Sequence, residues 1–243
     1  MLCSSGPLNQ MDFIADRSRR GNSLVTLLSG WNHRHDNERK VLTLNVLLLG
    51  DQQSGRSSVG NALIGGHEFQ TSTFIPGVSL TTEFQVLSRN FPRYFRRQGA
   101  ESDLTLRVID TSPLPPHPQS VHELCPEGVH VLVVVVRADR SHEDTHVEKH
   151  GERLFGPEWR RHALLIITHA DYLEKAGLHP SVYLSQTSDW LKALSNEAAG
   201  GVLFLDNSCD WPLIRGQPLR DGVLRLSAGN HHRAVKVRTE FTL

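Results

Sequence analysis

The strongest chemical signal in this 243-residue chain comes directly after an apolar run, Leu42–Leu49. Gly50 closes the run. Four spacers come next (Asp51, Gln52, Gln53 and Ser54), then Gly55, Arg56 and Ser57, with Ser58 behind them. This is the phosphate-loop pattern G-x-x-x-x-G-K-[ST] in all but one position. Its glycines let the backbone wrap so that N–H groups point at phosphate oxygens, and a helix that starts there adds its positive N-terminus. The Ser57 hydroxyl is the residue type that such a loop sets on Mg²⁺. The exception is Arg56 where lysine is expected: the charge is kept, but a planar fork replaces a compact ammonium. A plain strand-to-helix turn also favours Gly and Ser, yet the apolar strand before and the helix after are the context the motif requires.

Three further sets fall at the ends of apolar runs. Leu104–Ile109 ends in Asp110-Thr111-Ser112-Pro113, and an Asp there can hold the outer shell of a magnesium ion. Thr81, with Thr82 as alternative, is the candidate second hydroxyl for the metal when a γ-phosphate is present. Ala163–Thr168 is succeeded by His169-Ala170-Asp171. A carboxylate at Asp171 can accept from guanine N1–H and its 2-amino group, which adenine cannot supply, and His169 can lie against the base plane. Asp206-Asn207-Ser208 closes the last apolar run, with the Asn207 amide available to the other edge of the base. In a sensor segment of the form D-x-x-G, the glycine N–H meets the γ-phosphate. Here that position is Pro113, which has no N–H, and Pro115, Pro116 and Pro118 stiffen the adjoining residues into a rigid surface loop.

These residues need a scaffold. Six short apolar segments are read as strands: Leu42–Leu49, Thr82–Ser88, Leu104–Ile109, Val129–Val136, Ala163–Thr168 and Val202–Leu205. Several are continuously apolar, as strands covered on both faces are. Between them lie helices at Ser57–Ile64, Glu143–Phe155, Ser181–Ser195 and Leu219–Asn230, the third with Leu184, Thr187, Leu191 and Leu194 on one face. The alternation predicts an α/β fold, a mainly parallel six-stranded sheet with helices on both faces, and a ligand beyond the C-terminal strand ends.

Composition narrows the function classes. Lys+Arg and Asp+Glu are both 26, so no global basic field argues for nucleic acid as partner. The balance hides a segregation: residues 1–40 carry 6 basic and 4 acidic groups and residues 213–243 carry 6 and 2. The sequence divides into a disordered extension over 1–40, a domain over 41–231 and a short basic tail over 232–243. Apolar runs such as Val131–Val136 fall far short of the roughly 20 residues of a membrane span. Cys3, Cys125 and Cys209 share no metal-like spacing and read as reduced thiols, and the N-terminus lacks a secretory pattern, so the expected location is cytoplasmic.

From about Thr43 to Asn230 the chain resembles the GTPases of immunity-associated proteins, the IMAP family, whose G domain is of the plant avirulence-induced type. GDQQSGRSSVGNALIG with Phe69 carries part of the likeness. The rest lies in Gly128–His130, the apolar strand, Arg137, Glu143-Asp144, Leu154-Phe155-Gly156 and Thr168. The resemblance implies a Ras-like P-loop G domain that binds GTP and GDP with Mg²⁺. Some relatives also self-assemble across the G face, as a homodimer or oligomer. With no apolar anchor after its last helix, the chain is similar to the short single-domain members. Arg56 and Pro113 depart from the family pattern, which predicts slow or absent hydrolysis, and no catalytic residue is assigned.

Two rival motifs weigh less. His142-Glu143-Asp144-Thr145-His146 spells the zinc-protease pattern H-E-x-x-H, but polar Asp144 and Thr145 stand where a buried protease helix is apolar. An ATP-using phosphotransferase would need an Arg-rich lid; FPRYFRRQG at 91–99 reads instead as a basic hairpin joining two antiparallel strands. A degenerate G domain acting as a protein-interaction module is the alternative of a different class.

Overall fold

The computed structural model describes residues 40–69, 84–97, 100–111, 117–140, 146–206 and 212–239. The strands are β1 (Lys40–Gly50), β2 (Gln85–Arg97), β3 (Ala100–Asp110), β4 (Val131–Arg137), β5 (Ala163–Thr168) and β6 (Val202–Leu205). The helices are α1 (Arg56–Ile64), α2 (Pro118–Leu124), α3 (His146–Phe155), α4 (Asp171–Lys175), α5 (Pro180–Gln186), α6 (Asp189–Glu197) and α7 (Pro212–Gly229), with a 3₁₀ turn at Pro157–His162.

The strands form one sheet in the order β2-β3-β1-β4-β5-β6, and only β2 runs antiparallel to its neighbour. Branched apolar residues fill the central strands because both faces are covered. On one face, Leu47, Leu132, Val134 and Leu165 pack with Trp159, Leu191 and Leu194. On the other lie α1 and α7: a side chain at Gly60 would meet Leu48, and one at Gly222 would meet Leu164. The two helices approach closely at Gly216, where a Cβ would collide with the Ala62 carbonyl oxygen, so only glycine fits. Chain order reverses between β1 and β4, the place where an open parallel sheet takes its ligand beyond the C-terminal strand ends.

The back end of α1 is secured by two arginines. Arg220 Nη1 donates to the Ala62 and Leu63 carbonyls at 3.0 and 3.2 Å. Arg89 Nη1 donates to those of Ile64 and Gly65 at 2.9 and 3.0 Å. Both guanidinium groups also lie over the Phe91 ring. The four carbonyls that a helix C-terminus leaves unpaired are thereby satisfied, by cations that complement its negative end.

Several expectations need correction. β2 does not end near Ser88. It continues to Arg97, since Phe91, Tyr94 and Phe95 are good strand residues and a bulge between Phe91 and Phe95 absorbs Pro92 and Arg93. The single helix over Ser181–Ser195 is two, because Thr187 and Ser188 adopt extended backbone and Ser188 starts α6. Thr187 therefore does not share a helical face with Leu191. Pro118, read as part of a rigid loop, sits in the first turn of α2, with the His117 ring accepting from the Gln119 N–H, while residues 112–116 lie outside the described residues. Residues 232–239, read as a tail, pack on the domain: Val235 bridges to Val129, Arg238 N–H donates to the Leu154 carbonyl, and Val237 is buried. The expected extension over residues 1–40 lies outside the described residues but for Lys40.

At the sheet pole opposite the loop, the His130 Nδ1 accepts from the Asn45 N–H at 3.0 Å, while the His130 N–H donates to the Asn45 carbonyl. Burial, then the neighbouring His232, lowers His130 to about 4; Glu127 opposes this and His162 adds to it. The unfolded chain binds this proton near pH 6.5 and the folded one only near 4, so stability rises with pH between those values. Acidification from pH 7 to 4.5 should therefore remove on the order of 2 kcal/mol, discounted for the part of the ring that water reaches. Urea unfolding across that range measures it. His130→Gln, whose amide oxygen can accept the same N–H, should flatten the slope; an unchanged slope would assign it to other groups.

Candidate nucleotide site

The loop between β1 and α1 is held from outside by its carbonyls. Arg140 Nη1 donates to the Gln52 carbonyl at 3.4 Å and its Nη2 to Gln53 Oε1 at 2.5 Å. Arg137 Nη1 donates to the Gln53 carbonyl at 3.3 Å, its fork fixed by Asp139 at 2.7 and 2.6 Å. Thr168 Oγ1 donates to the Ser54 carbonyl at 2.6 Å and lies 3.2 Å from that of Val136. In a trans peptide the C=O and the next N–H point in opposite directions. Fixing these carbonyls outward turns the N–H groups of Gln53 and Gly55 the other way, into the concave side of the loop. Ser54 N–H instead closes a turn on the Asp51 carbonyl at 3.1 Å.

At Gly55, φ of 92° redirects the chain into the helix. Its carbonyl receives the first helical bond, from Val59 N–H at 2.9 Å, so the N–H groups of Arg56, Ser57 and Ser58 have no partner inside α1. Neither a side-chain cap nor an acidic residue stands in the first turn. Together these donors form an anion cradle backed by the helix dipole.

Under the loop, Asp110 at the end of β3 is 2% exposed. Its Oδ2 accepts from Ser57 Oγ at 2.6 Å, while Oδ1 lies 3.7 Å from Arg56 Nε without a hydrogen bond. Arg56 is buried as well, and its Nη1 donates to Thr111 Oγ1 at 2.8 Å. Thr111 passes its own proton to the Leu48 carbonyl at 2.9 Å. Burial is the largest influence on both charges, lowering Arg56 and raising Asp110, and each is opposed by the other's charge. Ser57 Oγ and Asp110 Oδ1, a buried carboxylate oxygen with no hydrogen-bond donor among the described residues, are hard oxygens of the type Mg²⁺ takes.

Beyond β5, His169 has a left-handed φ of 57°, and its Nδ1 lies 3.1 Å from Thr168 Oγ1. Burial, then the charge of Arg137, holds its ring below the ordinary value, against the opposing charges of Asp139 and Asp171. Asp171 opens α4, with Lys175 Nζ 2.8 Å from its Oδ2. The Ala170 N–H donates to the Leu205 carbonyl at 3.1 Å, which draws the ends of β5 and β6 together. The structure thus brings the loop residues, Asp110, His169 and Asp171 to the C-terminal strand ends. Thr81, Pro113 and Asn207 lie outside the described residues, as do His142, Glu143, Asp144 and Thr145 of the H-E-x-x-H motif.

The AIG1 family model matches residues 44–211. The chain belongs to the AIG1 family. Among curated proteins, this AIG1-family chain is 28% identical over 139 residues to human GTPase IMAP family member 8, covering 54% of the chain and 19% of that protein. It is 27% identical over 175 residues to Immune-associated nucleotide-binding protein 4 of Arabidopsis thaliana, covering 67% of the chain and 51% of the relative. The chain therefore spans at most about half of these relatives. Among solved structures, Toc33 from Arabidopsis thaliana with GDP and Mg²⁺ aligns over 81% of this chain and 88% of its own, at TM-score 0.50 and 22% identity. A structure concerning dimerization and the GTPase activity of the translocon components atToc33 and psToc159 aligns over 80% and 86%, at 0.51 and 23%. The likeness establishes the α/β P-loop G-domain fold for the AIG1-family chain.

Arg140 and Thr111 carry no role in the sequence pattern, and Arg137 and Thr168 enter it only through the family signature. A signal is nonetheless present: Thr168 and Arg137 are the first polar residues after all-apolar strands, where a parallel sheet meets its ligand. Thr168→Val should cost about 1–3 kcal/mol in urea unfolding by leaving the Ser54 carbonyl buried without its donor. Thr168→Ser, which keeps the hydroxyl, should recover most of the loss; equal losses in both variants would place the effect in packing.

Proposed function

We propose that this chain binds GTP and GDP at the N-terminus of α1, with a hydrolysis rate that is slow or absent. The observation that carries the reading is the uncapped start of α1 beneath a loop whose carbonyls from Gln52 to Ser54 are held outward. That geometry offers a row of N–H groups to the phosphates, with no side-chain cap among the described residues to compete for them. Ser57 and Asp110 are the described oxygen groups that a Mg²⁺ ion would draw on, and such an ion would supply positive charge beside the phosphates. Thr81 is proposed as a further hydroxyl toward the metal. Asp171 accepts from the guanine edge, His169 lies beside the base and Asn207 meets its other edge.

Slow turnover has two supports. Arg56 is engaged with Thr111 and Asp110 under the loop, so its fork is not extended along the phosphates as a point charge would be. Pro113, three residues after Asp110, has no N–H to offer a γ-phosphate. The same two residues favour the second reading, an interaction module in which nucleotide is a structural ligand or is not bound. The solved relatives make self-association across the nucleotide face a natural extension: dimerization is important for GTPase activity in atToc33 and psToc159.

A fluorescent GDP analogue should bind saturably, be displaced by GTP and resist a large excess of ATP. Asp171→Asn should weaken it about tenfold or more by removing the guanine-specific acceptor. Single-turnover GTP hydrolysis should be on the order of 10⁻³ s⁻¹ or slower, the range of an unassisted P-loop GTPase. Displacement by ATP and GTP alike would remove the guanine assignment, and failure to bind either would leave the interaction module.

A further inference from the structure

Arg56 and Asp110 form a buried charge pair whose geometry goes beyond holding phosphates. Arg56 sits directly after Gly55, where the loop pattern places a residue that reaches forward to the ligand. Its side chain turns under the loop instead. Nη1 meets Thr111 Oγ1 at 2.8 Å and Nε stands 3.7 Å from Asp110 Oδ1, with the two side chains 8% and 2% exposed. Thr111 has one proton and spends it on the Leu48 carbonyl, so only its lone pairs face the arginine, and the guanidinium is fixed in orientation. On the other side of Asp110, Oδ2 is taken by Ser57 Oγ at 2.6 Å. The two oxygen groups a metal would draw on are bound to each other, and the carboxylate charge already has a cation beside it. A divalent ion entering here would have to separate Ser57 from Asp110 and sit next to a buried guanidinium.

We propose that the Arg56 guanidinium, in place of Mg²⁺, is the working counter-charge of Asp110, so that this chain holds a guanine nucleotide without needing the metal. The inference rests on the nucleotide-binding reading above and deepens it by naming the cation. A lysine at 56 cannot do the same work: its ammonium is a single point, whereas the guanidinium reaches Thr111 through Nη1 and faces Asp110 through Nε. The position that departs from the loop pattern is then the one that changes the metal requirement.

Dissociation constants for a fluorescent GDP analogue, measured in Mg²⁺ and again in excess EDTA, test this directly. For the wild-type chain they should differ by less than about threefold, and for Arg56→Lys by about tenfold or more, because the freed carboxylate again calls for a metal. Wild-type binding that is present in Mg²⁺ and lost in EDTA would overturn this inference alone and leave the nucleotide reading intact. Binding in neither condition would overturn the nucleotide reading and this one with it. A thermal double-mutant cycle reads the charge pair without nucleotide, using Arg56→Met, Asp110→Asn and the two combined. The double variant should retain about 2 °C or more above the additive expectation, since each single change strands a buried charge. Strictly additive losses would overturn the proposal whatever the nucleotide results.

Discussion

A helix can offer its N-terminus to an anion only if its other end is satisfied and its axis cannot drift. In this domain α1 meets that constraint through Arg89 and Arg220, which take the carbonyls of Ala62, Leu63, Ile64 and Gly65 between them. One arginine comes from the sheet's edge strand and the other from the last helix, so α1 is fixed to elements distant in sequence. Their positive charges meet the negative end of the dipole and leave the positive end, at Arg56–Ser58, to act outward. The close contact at Gly216 then sets α1 directly against α7, with no side chain between the backbones.

The loop in front of α1 depends on a similar division of labour. Arg137 and Arg140 at and beyond the end of β4 and Thr168 at the end of β5 take carbonyls, and peptide planarity does the rest by turning the N–H groups inward. A loop of this kind has no packed core of its own. Its shape is borrowed from the ends of β4 and β5, which lie side by side because the sheet is parallel there. Asp110 and Thr111 arrive from β3 beside β1, under the loop, and there they receive Arg56 and Ser57.

Much of this scaffold is legible in the sequence, and the mismatches share a physical cause. β5 and β6 match their expected bounds because each is a short apolar run ended by polar or turn residues. β2 reads short because Pro92 and the arginines look like a link, whereas a bulge lets an edge strand carry both. Periodicity alone places Thr187 and Ser188 inside a helix, although Ser is a natural first residue for a new one. The loop is readable from spacing, since its chemistry lies in the backbone and its glycines announce it. The orientation of Arg56 is not readable, because its partners Thr111 and Asp110 lie more than 50 residues away. The supports from Arg137 and Arg140 are hidden for a related reason: their acceptors include main-chain carbonyls, which no residue type marks.

The bulge in β2 has a consequence of its own. An open sheet exposes two rims, and a rim of unpaired backbone invites a neighbouring chain to add another strand. Here β6 is four residues long. The rim of β2 is interrupted where Pro92 has no N–H to give and Arg93 turns to a φ of 55°. Among the described residues, neither rim is a long, regular template for edge-to-edge polymerisation. A strand added at either rim would meet few regular backbone partners among the described residues, so the sheet itself disfavours fusion between copies.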